Sequence, residues 1–261
     1  MPMEQRGPMP PSDDPMPLDA WKVESTRVTA FPGEAVATDR ISWWDEFAGV
    51  DPEAVLSRPK VGQYEAHGDF EGRRLTLAIQ PGRIDWVMSP QEQAPDDERR
   101  AFLGPFPDVF ASLSKIVTPW LTHAPALVRL AVGAVLLQPV DNVHAGYVRL
   151  KRYLPALPID PDGSSDFLYQ INRPRRAATQ IRDLRLNRLN KWSVQVMQRV
   201  DVMLGSQGIA TKRTLAQEVA CRLELDINTA PKLEPLPPDR LEALLHELGD
   251  LAKEIAQRGD V

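Results

Sequence analysis

Large apolar residues occupy every second position in two neighbouring stretches of the chain, residues 75–79 and 84–88. An alternation with period two is typical of a strand that buries one of its faces. The pair Pro81-Gly82 lies between the two stretches and favours a tight turn. These residues therefore predict a β-hairpin.

Six further stretches are predicted to be strands, because their apolar residues alternate or run together. They are Trp21–Phe31, Val61–Phe70, Leu127–Leu137, Phe167–Asn172, Trp192–Met197 and Val219–Ile227. The apolar residues of Trp21–Phe31 change face part-way along the stretch, which indicates a β-bulge. Leu127–Leu137 is apolar on both faces, so we expect it at the centre of a sheet.

In four other stretches the apolar residues recur every three or four positions, which predicts amphipathic helices. These stretches are Ser42–Leu56, which holds one or two short helices, Phe106–Leu121, Asp141–Leu154 and Pro237–Arg258. We expect Pro119 to bend the second helix, Asp141 to cap the third and Gly259 to end the fourth.

The order strand, helix, three strands, helix occurs twice, first in residues 18–125 and again in residues 126–261. The predicted fold class is therefore α+β, with a duplicated βαβββα unit. We expect two antiparallel sheets, each packed by its helices, related by a pseudo-twofold axis with a groove between the halves. Residues 1–17 contain six prolines and few bulky apolar side chains, and they are predicted to form a disordered tail.

Composition places the chain among ordinary globular proteins, with 43% hydrophobic residues in a length of 261 and a net charge of −5. No stretch reaches the length of apolar residues that a membrane span needs, so no membrane association is expected. The single cysteine, Cys221, excludes an intramolecular disulfide and lies on the apolar side of its strand. We therefore expect a cytoplasmic protein in which Cys221 is a buried core thiol.

Motifs that carry catalysis or bind cofactors do not occur in the sequence. It has no GxxxxGK[ST], GxGxxG, GxSxG, HExxH or CxxC pattern. Asp141 and His144 have the i, i+3 spacing of metal ligands on a helix, but a helix cap beside a surface histidine explains them more simply. The sequence predicts no metal and no cofactor, and it favours a protein that is not an enzyme. A pocket formed by residues from both halves stays an open alternative.

One segment, residues 173–191, is unusually basic, with seven basic side chains and a single acid, Asp183. It lies between two predicted strands, so we interpret it as an arginine-rich loop or hairpin arm, here called the basic arm. Its basic residues are Arg173, Arg175, Arg176, Arg182, Arg185, Arg188 and Lys191. Arginine suits carboxylate and phosphate partners, and the flanking Tyr169 and Trp192 are candidates for stacking on nucleic-acid bases. A solvated arm, or one paired with the protein's own acids, is the alternative.

The stretch PALVRLAVGAVLLQPVDNVHAGYVRLKRYL, from Pro125 to Leu154, is an apolar strand bearing an arginine that runs into a short helix. Asn187-Arg188-Leu189 is followed by an aromatic residue, Trp192. Both features resemble a sporadically distributed bacterial family of conserved hypothetical proteins with no assigned activity. The resemblance implies a bacterial origin and a fold, and no function. The predicted architecture is also similar to the effector-binding domains of some bacterial transcription regulators, in which duplicated βαββ modules bind a small molecule between them.

The first functional hypothesis is a non-catalytic binding or adaptor module that recognises a protein partner through the sheet faces, the basic arm or both. It rests on the missing motifs and on tryptophans, a residue type enriched at interface hot spots. These are Trp43, Trp44, Trp86, Trp120 and Trp192. The alternatives are a nucleic-acid-binding regulator that uses the basic arm, and a small-ligand sensor with a groove between the two halves. The partner's identity, the oligomeric state and the pathway stay open.

Overall fold

A computed structural model describes residues 15–91, 101–204 and 210–260 of the chain. Within these ranges it contains ten β-strands and four α-helices. The strands are β1 (Lys22–Pro32), β2 (Ala54–Arg58), β3 (Gln63–Phe70), β4 (Arg73–Gln80), β5 (Arg83–Ser89), β6 (Leu127–Val140), β7 (Leu168–Asn172), β8 (Arg175–Arg176), β9 (Arg185–Leu204) and β10 (Ala210–Thr229). The helices are α1 (Trp43–Phe47), α2 (Phe106–Leu121), α3 (Val143–Tyr153) and α4 (Leu241–Arg258). The protein is therefore α+β, with strands dominating.

All ten strands lie in one antiparallel sheet, in the order β2-β3-β4-β5-β1-β6-β10-β9-β7, with β8 paired to β9. The expectation of two separate sheets is wrong. β1 and β6 pair directly, with Val28 opposite Val132, and this pairing makes the sheet continuous. Both strands are apolar on their inner face, and each completes its backbone hydrogen bonds by pairing with the other.

Several local predictions are confirmed. β4 and β5 form the hairpin across Pro81-Gly82, and the register of β1 shifts between Val23 and Ser25, which is the expected bulge. β6 lies at the centre of the sheet, between β1 and β10.

Two local predictions need correction. The stretch Ser42–Leu56 contains only the five-residue helix α1, and its end belongs to the edge strand β2. The cap of α3 is Asn142, whose side chain accepts a hydrogen bond from the backbone N–H of Ala145, and is not Asp141. Asp and Asn are both favoured at the N-cap of a helix, so the sequence alone does not show which of Asp141 and Asn142 caps α3.

All four helices pack on the same face of the sheet. Trp44 of α1 stacks near Trp86 of β5, at 6.5 Å between ring centroids. Tyr153 of α3 lies 5.3 Å from Trp192 of β9, and Trp21 donates its indole N–H to the carbonyl oxygen of Ala256 in α4 at 2.7 Å. These aromatic contacts form the centre of one core, which lies between the sheet and the helix layer.

The chain segment before β1 is also anchored in part. Met16 is buried, and its backbone N–H donates to the carbonyl oxygen of Gln257 at 3.0 Å. Met16 is therefore held in place although it belongs to the segment 1–17 that the sequence predicts to be disordered, and residues 1–14 lie outside the described residues. In the described part of the chain, no helix combines the length and the apolar character needed to cross a membrane.

Candidate binding surface on the helix-free face

The second face of the sheet carries no helix in the described residues, and we call it the helix-free face. Because side chains alternate along a strand, each strand sends every second residue to this face. In three central strands these residues are mostly polar or charged: Arg27 and Thr29 of β1, Arg83 and Asp85 of β5, and Arg222, Glu224, Asp226 and Asn228 of β10. The strand between β1 and β10, β6, presents Gly133 and apolar side chains on this face, so polar groups lie on both sides of β6.

A three-residue cluster joins β5 and β1 on the helix-free face. The guanidinium of Arg83 donates to both carboxylate oxygens of Asp85, at 2.5 and 2.9 Å. The hydroxyl of Thr29 donates to the same carboxylate at 2.5 Å. Hydrogen bonding to Asp85 raises the pKa of Arg83, and the negative charge of Asp226 acts in the same direction. Asp85 is only 7% exposed, so these hydrogen bonds hold a nearly buried carboxylate in a fixed position.

Arg27 lies in the row next to this cluster, at the pairing of β1 with β6. It is opposite Gly133, and its side chain lies flat over that glycine. A Cβ atom at position 133 would be 3.0 Å from both Cζ and Nε of Arg27. Neither a hydrogen bond nor an ion pair to the described residues involves the Arg27 guanidinium, which is partly exposed. The exposed part of this guanidinium therefore has N–H donors available to a ligand.

A chain of amides crosses β7, β9 and β10 on the same face. Asn172 donates to Asn187 at 3.1 Å, Asn187 donates to Asn228 at 2.9 Å, and Asn228 donates to the carboxylate of Asp226 at 3.0 Å. Asn228 is 3% exposed. Each amide donates one N–H to the next group in the row. This row of hydrogen bonds fixes the position of the Asp226 carboxylate beside Gly133.

Ion pairs connect β1, β9 and β10 on the helix-free face, next to this row of amides. Arg222 of β10 reaches across β6 to Glu24 of β1 at 2.6 Å, and it also binds Glu224 at 2.9 Å. Lys191 of β9 lies 3.2 Å from Glu224. Burial by itself would raise the pKa of Glu224, but the hydrogen bonds from Arg222 and Lys191 lower it. The bridge covers Leu137, which is fully buried although it belongs to the helix-free face.

A cation–aromatic contact completes the surface. The guanidinium carbon of Arg129 lies 5.0 Å from the ring centroid of Phe31, directly across the β1–β6 pairing. The Nε atom of Arg129 is buried without a hydrogen-bond partner among the described residues. Basic and acidic groups thus alternate over the helix-free face, and most of them are held by neighbours within the protein.

The basic arm is placed differently from the sequence prediction. Its second half, from Arg185 onward, belongs to strand β9, and its first half runs along α4. Arg173 binds Asp260 through two hydrogen bonds of 2.6 and 2.9 Å, and Arg175 lies 3.3 Å from Glu254. Burial alone would raise the pKa of Asp260, but hydrogen bonds from Arg173 and Tyr169 lower it. These charges therefore bind the protein's own acids.

The remaining basic residues of the arm differ in exposure. Arg188 is 7% exposed and lies 3.8 Å from Glu254, and burial lowers its pKa. Arg176 and Arg182 are exposed and share Asp183 at 3.3 and 3.4 Å. Arg185 is exposed, without an ion pair to the described residues. Lys191, the last residue of the arm, belongs to the helix-free face instead.

The two stacking candidates lie on the core side of the sheet. Trp192 is fully buried between Trp21 and Tyr153, and its indole N–H donates to Asn190 at 2.6 Å. Tyr169 is partly buried and donates its hydroxyl to Asp260 at 2.5 Å. Trp192 has no free ring face for a base, because apolar side chains exclude solvent from it.

Sequence reasoning missed Arg27, Gly133 and Asp226. A glycine in the interior of a strand can mark a close approach by another group, and Gly133 is such a signal within an otherwise apolar run. The identity of the approaching side chain depended on the β1–β6 register, which the spacing of residues does not give.

Chemistry beyond binding has little support on this surface. No group of three or more His, Cys, Asp or Glu side chains suited to a metal ion occurs in the part of the chain that is described. Cys221 is fully buried, as predicted, and burial raises its pKa to about 12. No protein-family model matches the sequence of this chain, and no curated protein matches it either.

Proposed function

We propose that this protein is a non-catalytic binding module that recognises a protein partner on the helix-free face of its sheet. The observation that carries the proposal is the free guanidinium of Arg27, set over Gly133 among charged groups that are already paired. Ordering a long charged side chain costs up to about 2 kcal/mol of conformational entropy. The paired charged groups around Arg27 are already ordered before binding. A partner that contacts them therefore does not lose affinity to the entropy cost of ordering them.

The partner is a protein rather than a nucleic acid, because acids and bases are interleaved on this face. Asp85, Asp226, Glu24 and Glu224 lie among the arginines, and a continuous row of phosphates would approach all four. A protein surface can alternate its own charges to match. The pairing of the basic arm with α4 also argues against that arm as a phosphate-binding surface.

In this proposal Arg27 provides the specific contact with the partner. A guanidinium presents two parallel N–H groups that match a carboxylate, and such a charge-assisted bond contributes about 1.5–3 kcal/mol. The partner therefore places an acidic side chain or its carboxyl terminus over Gly133. Asp226 lies beside that position and favours a ligand that also brings a basic or amide group.

We also propose that the two halves of the chain are an internal duplication, as the sequence predicts. β5, β4 and β3 follow β1 on one side, whereas β10, β9 and β7 follow β6 on the other. A helix follows the first strand of each half, and a longer helix follows the last. This order supports two related units that meet at the β1–β6 pairing, with Arg27 at the junction.

The test is a comparison of affinity purifications with the wild-type protein, Arg27→Glu and Arg182→Glu, each from cells of the source organism. Arg182 is an exposed arginine of the basic arm and provides the matched control. We expect a partner that the wild type and Arg182→Glu retain and Arg27→Glu loses. With the purified partner, Arg27→Gln should raise the dissociation constant by about ten- to a hundredfold.

Two results would refute the proposal. One is the absence of any reproducible partner, or a partner that depends on Arg182 and not on Arg27. The other is tight binding of single- or double-stranded nucleic acid that falls steeply with salt and disappears when Arg176, Arg182 and Arg185 are replaced by alanine.

A further inference from the structure

Strand β2 forms one edge of the sheet, where no other strand of the described residues pairs with its outer backbone groups. All five of its residues, Ala54–Arg58, are exposed. Natural proteins usually protect such an edge, because its free N–H and C=O groups can pair with another chain. The exposure of this edge therefore calls for an explanation.

The segment around β2 also exposes apolar side chains. Among the described residues, eight large hydrophobic side chains are exposed, and four of them are Val50, Val55, Leu56 and Val61. Val55 is 53% and Leu56 is 48% exposed. Val55 and Leu56 are adjacent in β2 and therefore point to opposite faces, so this edge exposes apolar side chains on both faces of the sheet.

The charges that flank β2 are arranged in opposite senses at its two ends. Asp51 and Glu53 precede the strand, whereas Arg58 and Lys60 end and follow it. All four are exposed, and none forms an ion pair with the described residues. When two copies of this strand pair in antiparallel fashion, the acidic start of each lies beside the basic end of the other. The sequence of this edge is therefore complementary to itself.

We infer that β2 is the interface of a homodimer, in which the edge strands of two copies pair in antiparallel fashion about a twofold axis. This arrangement joins the two sheets and covers the apolar side chains of β2. A second copy is the occupant favoured by the charges, because a symmetric dimer requires a patch that complements itself. The surface is distinct from Arg27, which lies four strands away from β2 in the sheet.

The test is the mass of the full-length protein in solution, measured by light scattering or sedimentation from low micromolar to several hundred micromolar concentrations. We expect a concentration-dependent dimer. Val55→Lys should raise its dissociation constant by at least about tenfold, since it adds like charges to the paired edge. Leu168→Lys is the matched control, because Leu168 is 61% exposed on β7 at the opposite edge. It should leave the dimer unchanged.

Charge exchange tests the antiparallel geometry. Glu53→Lys and Arg58→Glu should each weaken the dimer, and the double variant should restore it, because the two changes meet across the twofold axis. Thermal unfolding of each variant verifies that it folds. A monomeric wild type at the highest concentration would overturn the inference, as would equal effects of Val55→Lys and Leu168→Lys. Loss of the dimer without loss of the Arg27-dependent partner separates this inference from the proposed function.

Discussion

The contact between Arg27 and Gly133 can be tested by replacing the glycine with alanine. The new Cβ would lie 3.0 Å from two atoms of the guanidinium group and 3.2 Å from Cγ of the same side chain. Non-bonded carbon atoms prefer about 3.5–4.0 Å, so the arginine must move by about half an ångström or more. Its end is flexible and partly exposed, and it can therefore lift away from the sheet.

Two opposing effects set the expected change in the free energy of unfolding. Alanine in a strand interior makes the protein more stable than glycine does, by about 0.5–1 kcal/mol. The reason is that the unfolded chain with alanine has less conformational freedom to lose on folding. Displacing Arg27 removes its packing on β6 and offsets this gain. We therefore expect Gly133→Ala to leave the stability of the wild type almost unchanged. In an Arg27→Ala background the clash is absent, and the same replacement should stabilise the protein by about 0.5–1 kcal/mol.

The assay is urea denaturation of the four proteins of this double-mutant cycle, followed by tryptophan fluorescence. Trp86 and Trp192 are fully buried, so their emission reports loss of the core. Equal slopes of the unfolding free energy against urea would show that the comparison is valid. If Gly133→Ala had the same effect in both backgrounds, within about 0.3 kcal/mol, the two sites would be independent and the contact would be unimportant.

Other contacts give predictions of the same kind. Gly249→Ala should destabilise the protein by about 1–3 kcal/mol in urea denaturation, because the new Cβ would lie 2.2 Å from the Phe110 ring between α4 and α2. The Cys221 thiol, with its pKa raised to about 12 by burial, should resist thiol reagents until the protein unfolds, and rapid native labelling would contradict this. Asp260→Asn should destabilise the protein at neutral pH, because the lowered pKa of Asp260 gives stability that is present above its ordinary value of 3.8. That difference between variant and wild type should vanish as the pH falls through the folded-state pKa, and a difference independent of pH would contradict the Arg173–Asp260 pairing.

The ion pairs of α4 show why the basic arm could not be interpreted from the sequence. Seven basic residues close together favour a charged partner, but Arg173 and Arg175 are opposite Asp260 and Glu254, which come about eighty residues later. Glu254 lies on the polar side of the amphipathic helix α4 and Asp260 lies just after the end of that helix, and nothing in their spacing indicates which arm they contact. The density of charge was thus visible in the sequence, whereas its neutralisation depended on the packing of α4 beside β8 and β9.

Local patterns determined the elements of this protein. The β4–β5 hairpin, the centre of β10 and helices α2 and α4 follow from hydrophobic period and from residues such as Gly82 and Gly259, because these signals act over a few neighbouring positions. Only the tertiary structure decided that β1 and β6 pair, a contact between residues about one hundred positions apart. That pairing made one sheet of two halves and set Arg27 over Gly133. Register between distant strands depends on the packing of the whole core, so the binding surface could not be read from sequence spacing.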